Sequence, residues 1–176
     1  LFHLKEFLKN MKMRNRIVLF YTLLGLSFLC KGQAEKYSSH IYSSTIKTLR
    51  ANVDGNDRSY PAIELNSDAK IRIQFDDLVA NSRNYSYQII HCNYDWTTSN
   101  LFSADFMTGF NENTIHNFEY SVQTKIGYIN YWVDLPNDDV QFKVSGNYVL
   151  RVIENGDREK TVLTACFVVY ETLVGV

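Results

Sequence analysis

Ala69-Lys70-Ile71-Arg72-Ile73-Gln74-Phe75 alternates without a break between apolar and polar residues. In a strand successive side chains point to opposite faces, so Ala69, Ile71, Ile73 and Phe75 share one face. A helix would scatter the same four around its axis. The stretch therefore reads as a strand laid on a core by one face. The same period of two returns in Phe118, Tyr120 and Val122, and in Ile129, Tyr131, Val133 and Leu135. It returns again in Tyr148, Leu150 and Val152, and in Leu163, Ala165, Phe167 and Val169. Weaker strand candidates cover residues 41–49, 61–65 and 85–93.

The punctuation between these runs agrees. Asp54-Gly55-Asn56-Asp57, Asn66-Ser67-Asp68, Pro136-Asn137-Asp138-Asp139 and Asn155-Gly156-Asp157 are turn formers. Asn and Asp bond their own backbone in turns, and Gly accepts positive φ. Short strands at this spacing predict an all-β, antiparallel, immunoglobulin-like β-sandwich. No long 3.6-residue period follows residue 34, which argues against a parallel α/β sheet. The irregular stretch is 97–117, where Ser99 or Ser103 is placed to cap a single helical turn.

Charge divides the chain. Residues 1–32 hold six Lys and Arg and one acid, Glu6, whereas residues 33–176 hold 12 basic and 18 acidic residues, a net charge of −6. An acidic body does not hold a phosphate backbone, so nucleic-acid binding is not expected. The basic head reads as a signal peptide. Lys12, Arg14 and Arg16 form its charged region, and 17–29 is a largely apolar run too short for a comfortable membrane span. Gly32 and Ala34 offer cleavage sites, giving a signal peptide over 1–34 and one β domain over 35–176. Residues 1–10 precede the first Met and are left out of the fold as a candidate misassigned start. Cys30 suggests lipidation, but Leu29 stands where such a signal needs a small residue. The expected product is exported, with no membrane span after signal removal.

Cys92 and Cys166 are the cysteines of the expected mature part. They read either as one bridge or as two small buried hydrophobes. Sequence does not supply the Cα separation that decides between them.

Candidate chemistry is sparse. His91, Cys92 and Asp95 cluster and His116 lies further on, but a strand sends His91 and Cys92 to opposite faces, so no metal site is read. Asp138 and Asp139 are adjacent acids in a turn, whereas glycoside hydrolysis needs two carboxylates across a cleft. No nucleophile elbow, phosphate loop or metalloprotease motif is present. The chain reads as non-enzymatic, with no cofactor. Its surplus is aromatic: 12 Tyr, 11 Phe and 2 Trp. Most fall at core phases of strands. Tyr94, Trp96, Phe102, Phe106, Phe110 and Trp132 are the candidates for a partner interface, because Tyr and Trp concentrate there. Trp132 joins them because it sits on the polar phase of its strand.

Several runs carry a resemblance. Tyr60-Pro61-Ala62-Ile63-Glu64-Leu65-Asn66-Ser67 is followed by Ile73-Gln74-Phe75-Asp76-Asp77-Leu78, then by Tyr85-Ser86-Tyr87-Gln88-Ile89-Ile90-His91-Cys92-Asn93-Tyr94-Asp95-Trp96. Ser145-Gly146-Asn147-Tyr148 and Tyr170-Glu171 come later. In this order they resemble the N-terminal domain of the type IX secretion system plug protein family of Bacteroidota, over about residues 37–175. The resemblance implies a periplasmic, non-enzymatic β domain. Its implied partner is the outer-membrane β-barrel translocon, whose periplasmic end it would occlude. Members of that family are longer, so the reading also expects a truncated or frameshifted product ending near a second domain. The competing readings are an exported immunoglobulin-like module for carbohydrate or another extracellular partner, and an enzyme built on His91, Asp95 and His116.

Overall fold

The computed structural model describes residues 36–54, 56–157 and 159–172. The signal peptide and its boundary lie outside the described residues.

Strand β4 (Ile71–Asp77) carries the opening stretch, with Ile71, Ile73 and Phe75 fully buried on one face. It pairs antiparallel with β9 (Ile129–Leu135), which sets Phe75 against Tyr131 and Ile73 against Val133. The other face of this pair is polar. There Arg72 donates twice to the Asp134 carboxylate, at 2.7 and 2.8 Å, and Asn130 donates to Asp76 at 2.8 Å. Strand β2 (Ile46–Val53) and strand β8 (Asn117–Tyr120) complete a four-stranded sheet in the order β2-β4-β9-β8.

The second sheet is built on β11 (Gly146–Glu154), which lies between β5 (Tyr85–Cys92) and β12 (Thr161–Tyr170). The edges are short: β1 (His40–Ile41) and β3 (Ala62–Glu64) on β12, and β7 (Glu112–Thr114) on β5. Only the β3–β12 pairing is parallel among the described pairs. Tyr148, Leu150 and Val152 face the first sheet together with Phe167, Ala165 and Leu163. Buried residues of both sheets make one hydrophobic cluster. Its aromatic centre includes Tyr148 stacked on Phe167 at 5.6 Å and Phe75 stacked on Tyr131 at 5.4 Å. Each such side chain contributes about 1.5–3 kcal/mol by leaving water.

Four details differ from the expectations. First, 97–117 is not wholly irregular: it holds α1 (Ser103–Phe106), β6 (Met107–Gly109) and β7, and β6 pairs with β10 (Val140–Phe142). Three-residue strands are too short to display a period. Second, neither Ser99 nor Ser103 caps α1; the Asp105 carboxylate accepts the Phe102 N–H at 2.9 Å instead. Third, β11 is buried on both phases at Val149 and Ile153. Val149 is flanked in register by Ile90 and Cys166, and neighbours on both sides shield a residue of a central strand. Fourth, β8 stops at Tyr120, and its side chains are exposed.

One connection between the sheets is fixed by polar contacts. Asp77 is fully buried, and Tyr85 donates its hydroxyl to Asp77 Oδ2 at 2.8 Å. Burial and this carboxylate both push the Tyr85 pKa up. Arg83 approaches the same oxygen at 3.8 Å, while its own N–H donates to the Tyr131 hydroxyl at 2.8 Å. A buried carboxylate is tolerated only with such partners.

Candidate functional site

The segment between β5 and β8 carries five of the six candidate interface residues. The chain reverses at 93–97, where the Asn93 N–H donates to the Thr97 carbonyl at 2.8 Å and the Trp96 N–H to the Asn93 carbonyl at 3.0 Å. The turn needs a left-handed residue, and Trp96 supplies it at φ 66°. A bulky residue there costs about 1–2 kcal/mol, so surrounding contacts must hold it. The Asp95 carboxylate accepts the Thr97 hydroxyl at 2.7 Å and the Thr97 N–H at 3.2 Å. Those bonds, with Lys36 at 3.7 Å, hold its pKa below the usual carboxylate range. The Tyr37 N–H donates to the Trp96 carbonyl at 3.0 Å. The turn is therefore stitched to the N-terminal strand segment, and Tyr94 stands at its tip, 93% exposed.

Beyond the turn, the chain crosses back over His91. His91 Nδ1 is hydrogen-bonded to Ser99 Oγ at 2.9 Å. Its ring stacks on Phe106 at 5.6 Å and meets Tyr148 edge-on at 5.0 Å. Gly146 is required beside it, because a Cβ there would overlap His91 Nε2. Burial lowers the His91 pKa below its ordinary value, with the Ser145 backbone acting against the fall. His91 is thus the polar pin that fastens 99–106 to the core.

These contacts sort the sequence candidates. Tyr94, Phe102 and Phe110 are exposed, the latter two at 80% each. Phe106 is not a surface residue: at 4% exposure it packs against the rings of His91 and Tyr148, because α1 turns it inward. Trp96 and Trp132 are half-buried. Trp132 lies on the outer face of the four-stranded sheet, under the Arg72 guanidinium at 6.0 Å. The six residues therefore do not form one surface. The sequence reading also missed exposed apolar groups on the hairpin of β8 and β9: Phe118, Tyr120, Val122 and Ile126. Their alternation copies that of a core strand, so periodicity gives no signal for their exposure.

The acid, histidine and cysteine candidates stay apart. His91 faces the core, Cys92 lies on the opposite face, Asp95 is engaged in the turn and His116 is exposed. Among the described residues no three His, Cys, Asp or Glu side chains gather as metal ligands. Both cysteines of the β domain are free thiols, separated by β11. Two strand spacings of about 4.8 Å exceed the reach of a disulfide. Burial pushes the Cys92 thiol up to about 11, and Cys166 also upward, so neither is an activated nucleophile.

Comparison with known proteins follows the same outline. The family model described as "Type 9 secretion system plug protein 1st domain" matches residues 46–171. A hypothetical protein from Parabacteroides merdae, known from its crystal structure, is 43% identical with a TM-score of 0.75, over 77% of this chain and 34% of that one. The chain thus spans about a third of that relative's length. Two further solved structures are much more distant and carry no argument. One is the Pseudomonas fluorescens alkylpurine DNA glycosylase bound to DNA, at 12% identity and TM-score 0.36, over 71% of this chain and 30% of that one. The other is a Niemann-Pick type C2 protein from Japanese carpenter ant, at 11% identity and TM-score 0.40, over 80% and 99%. No curated protein matches the chain.

Proposed function

The chain belongs to the type 9 secretion system plug protein family through its first domain, and from that premise we propose that it is a non-catalytic periplasmic plug domain that binds and occludes the periplasmic end of the outer-membrane translocon barrel. The family match over 46–171 carries this reading. In it, residues 1–34 export the chain, and the two sheets act as a rigid immunoglobulin-like sandwich. No helix among the described residues is long and apolar enough to cross a membrane.

A plug needs no reaction centre. It needs a stiff body and a shaped face burying about 1,200–2,000 Å² in total. The two-sheet core supports the first requirement. Tyr94, Phe102 and Phe110, with Trp96 holding the turn behind Tyr94, supply aromatic anchors of the type that dominates binding energy. The net charge of −6 on residues 33–176 would be matched by a basic pore rim, and association should then weaken as salt screens it.

Co-purification of the protein with the translocon barrel, over a salt series, tests this. Binding that falls with salt, and falls further in the Tyr94→Ala/Phe102→Ala variant, is the expected result. A barrel that never co-purifies removes the plug reading. Binding that ignores both the salt and the double variant removes the proposed face.

A further inference from the structure

A second surface is built differently and stands independently of the plug reading. Where the chain crosses from β7 to β8 it leaves a cavity of about 220 Å³ beside residues 132–134 of β9, with the core residues Tyr87, Ile115 and Val133 also in its lining. Trp132 forms one wall, and Lys70, Thr114, His116, Asn117 and Asp139 stand around it. We propose that this cleft binds a single neutral sugar ring, stacked on Trp132.

Three observations converge. The aromatic wall is held in place before any ligand arrives. Arg72 covers Trp132 from 6.0 Å and does not line the cavity. Arg72 is itself fixed by its two bonds to Asp134. An aromatic surface already ordered in the free protein loses little entropy on binding. The opposite wall is also fixed. The Asn137 amide donates to the Tyr87 hydroxyl at 3.1 Å and the Asp134 carbonyl at 3.0 Å, and its oxygen accepts the N–H groups of Asp139 and Val140 at 3.0 and 2.9 Å. That anchors the turn bearing Asp139.

Next, the polar groups around the cleft are unspent. Among the described residues the side chains of Lys70, His116, Asn117 and Asp139 have no hydrogen bond or ion pair within the protein. They include donors and acceptors, as the hydroxyls of a sugar require. Lys70 and Asp139 carry opposite charges, and Asp134, which also lines the cavity, is paired with Arg72, so the cleft favours neither an anion nor a cation. Finally, the cavity is smaller than the roughly 300–1,000 Å³ of drug-sized sites, which suits one ring. An aromatic face with a few convergent polar groups is the usual form of a small-ligand pocket.

The two tryptophans allow a direct test, since each indole N–H gives its own NMR signal. The purified protein is titrated with the methyl glycosides of glucose, mannose and galactose, and with N-acetylglucosamine. At least one sugar should shift the Trp132 signal saturably, with half-saturation near about 1 mM, while Trp96 stays still. Asn117→Ala and Asp139→Ala should each weaken that titration by about tenfold, as lost hydrogen bonds do. Both variants change exposed residues, and an unmoved Trp96 signal reports that they remain folded. Trp132 unmoved by every sugar at about 50 mM, in the range of millimolar affinities, overturns the proposal. So does an equal response to inorganic phosphate or triglycine, or unchanged binding in both variants.

Discussion

Strands β8 and β9 are the two arms of one hairpin, yet their aromatic residues meet opposite fates. Phe118 stands opposite Tyr131, and Tyr120 opposite Ile129, so all four side chains leave the sheet on the same face. Tyr131 and Ile129 are 1% exposed, whereas Phe118 is 42% and Tyr120 51% exposed. Alternation is equally regular in both arms. What differs is cover. β9 lies inside its sheet between β4 and β8, and its inner face joins the common core. β8 is the edge, and Phe118 meets the rings of Tyr131 and Tyr120 at 5.6 and 5.8 Å. A period of two reports which face a residue takes. It does not report whether a second layer lies over that face. β8 is also only four residues long, which limits the open edge it offers to other strands.

The most severe way to break this comparison is to truncate one aromatic in each arm. Tyr131→Ala removes a buried ring, its contacts with the rings of Phe75, Tyr85 and Phe118, and the hydroxyl that accepts the Arg83 N–H. It should cost about 3–5 kcal/mol in urea denaturation. Tyr120→Ala should cost about 1 kcal/mol or less, since most of its surface is already wet. Equal losses would mean that β8 is covered in solution, and the contrast between the arms would fail. A smaller effect is expected beneath the covered arm. Tyr85→Phe leaves the volume intact but strips the buried Asp77 carboxylate of its hydroxyl donor. An unsatisfied buried acceptor predicts a loss of about 1–3 kcal/mol. A Tyr85→Phe protein as stable as the parent would show that Arg83 alone satisfies Asp77.

The same distinction explains what was legible beforehand. Residues 71–77, 129–135, 146–154 and 161–170 repeat long enough for the period to appear, and the structure places strands there. Their turns were legible too: Asn155 and Gly156 take positive φ, at 54° and 70°, as their residue types allow. The family was legible in motif order, and the match over 46–171 confirms it. The short strands β6, β7 and β10 were not, because three residues hold no more than one repeat. Nor was the inward turn of Phe106, which depends on a four-residue helix anchored by Asp105 rather than by a serine. Trp96 in the left-handed region defies its residue type and rests on contacts from Tyr37, Asp95 and Thr97. The cleft at Trp132 gathers residues from four separate stretches, which no local pattern connects.

The smallest effect concerns a polar group on a covered face. His91 shares the inward face of its strand with Tyr87 and Ile89, beneath Phe106, and burial lowers its pKa from the ordinary 6.5. Above that value both folded and unfolded chains hold a neutral ring, so the site adds no pH dependence. As pH falls through 6.5 the unfolded chain takes up the proton first. Stability should therefore decline below about pH 6.5 and level off once the folded ring is also protonated. Thermal melts of the parent and of His91→Gln, compared between about pH 7.5 and 5, isolate that slope, which should flatten in the variant. If the slope is unchanged, protonated His91 is accommodated without cost. The face over it would then be as open as that of β8, and the line drawn between covered and uncovered strands would have to move.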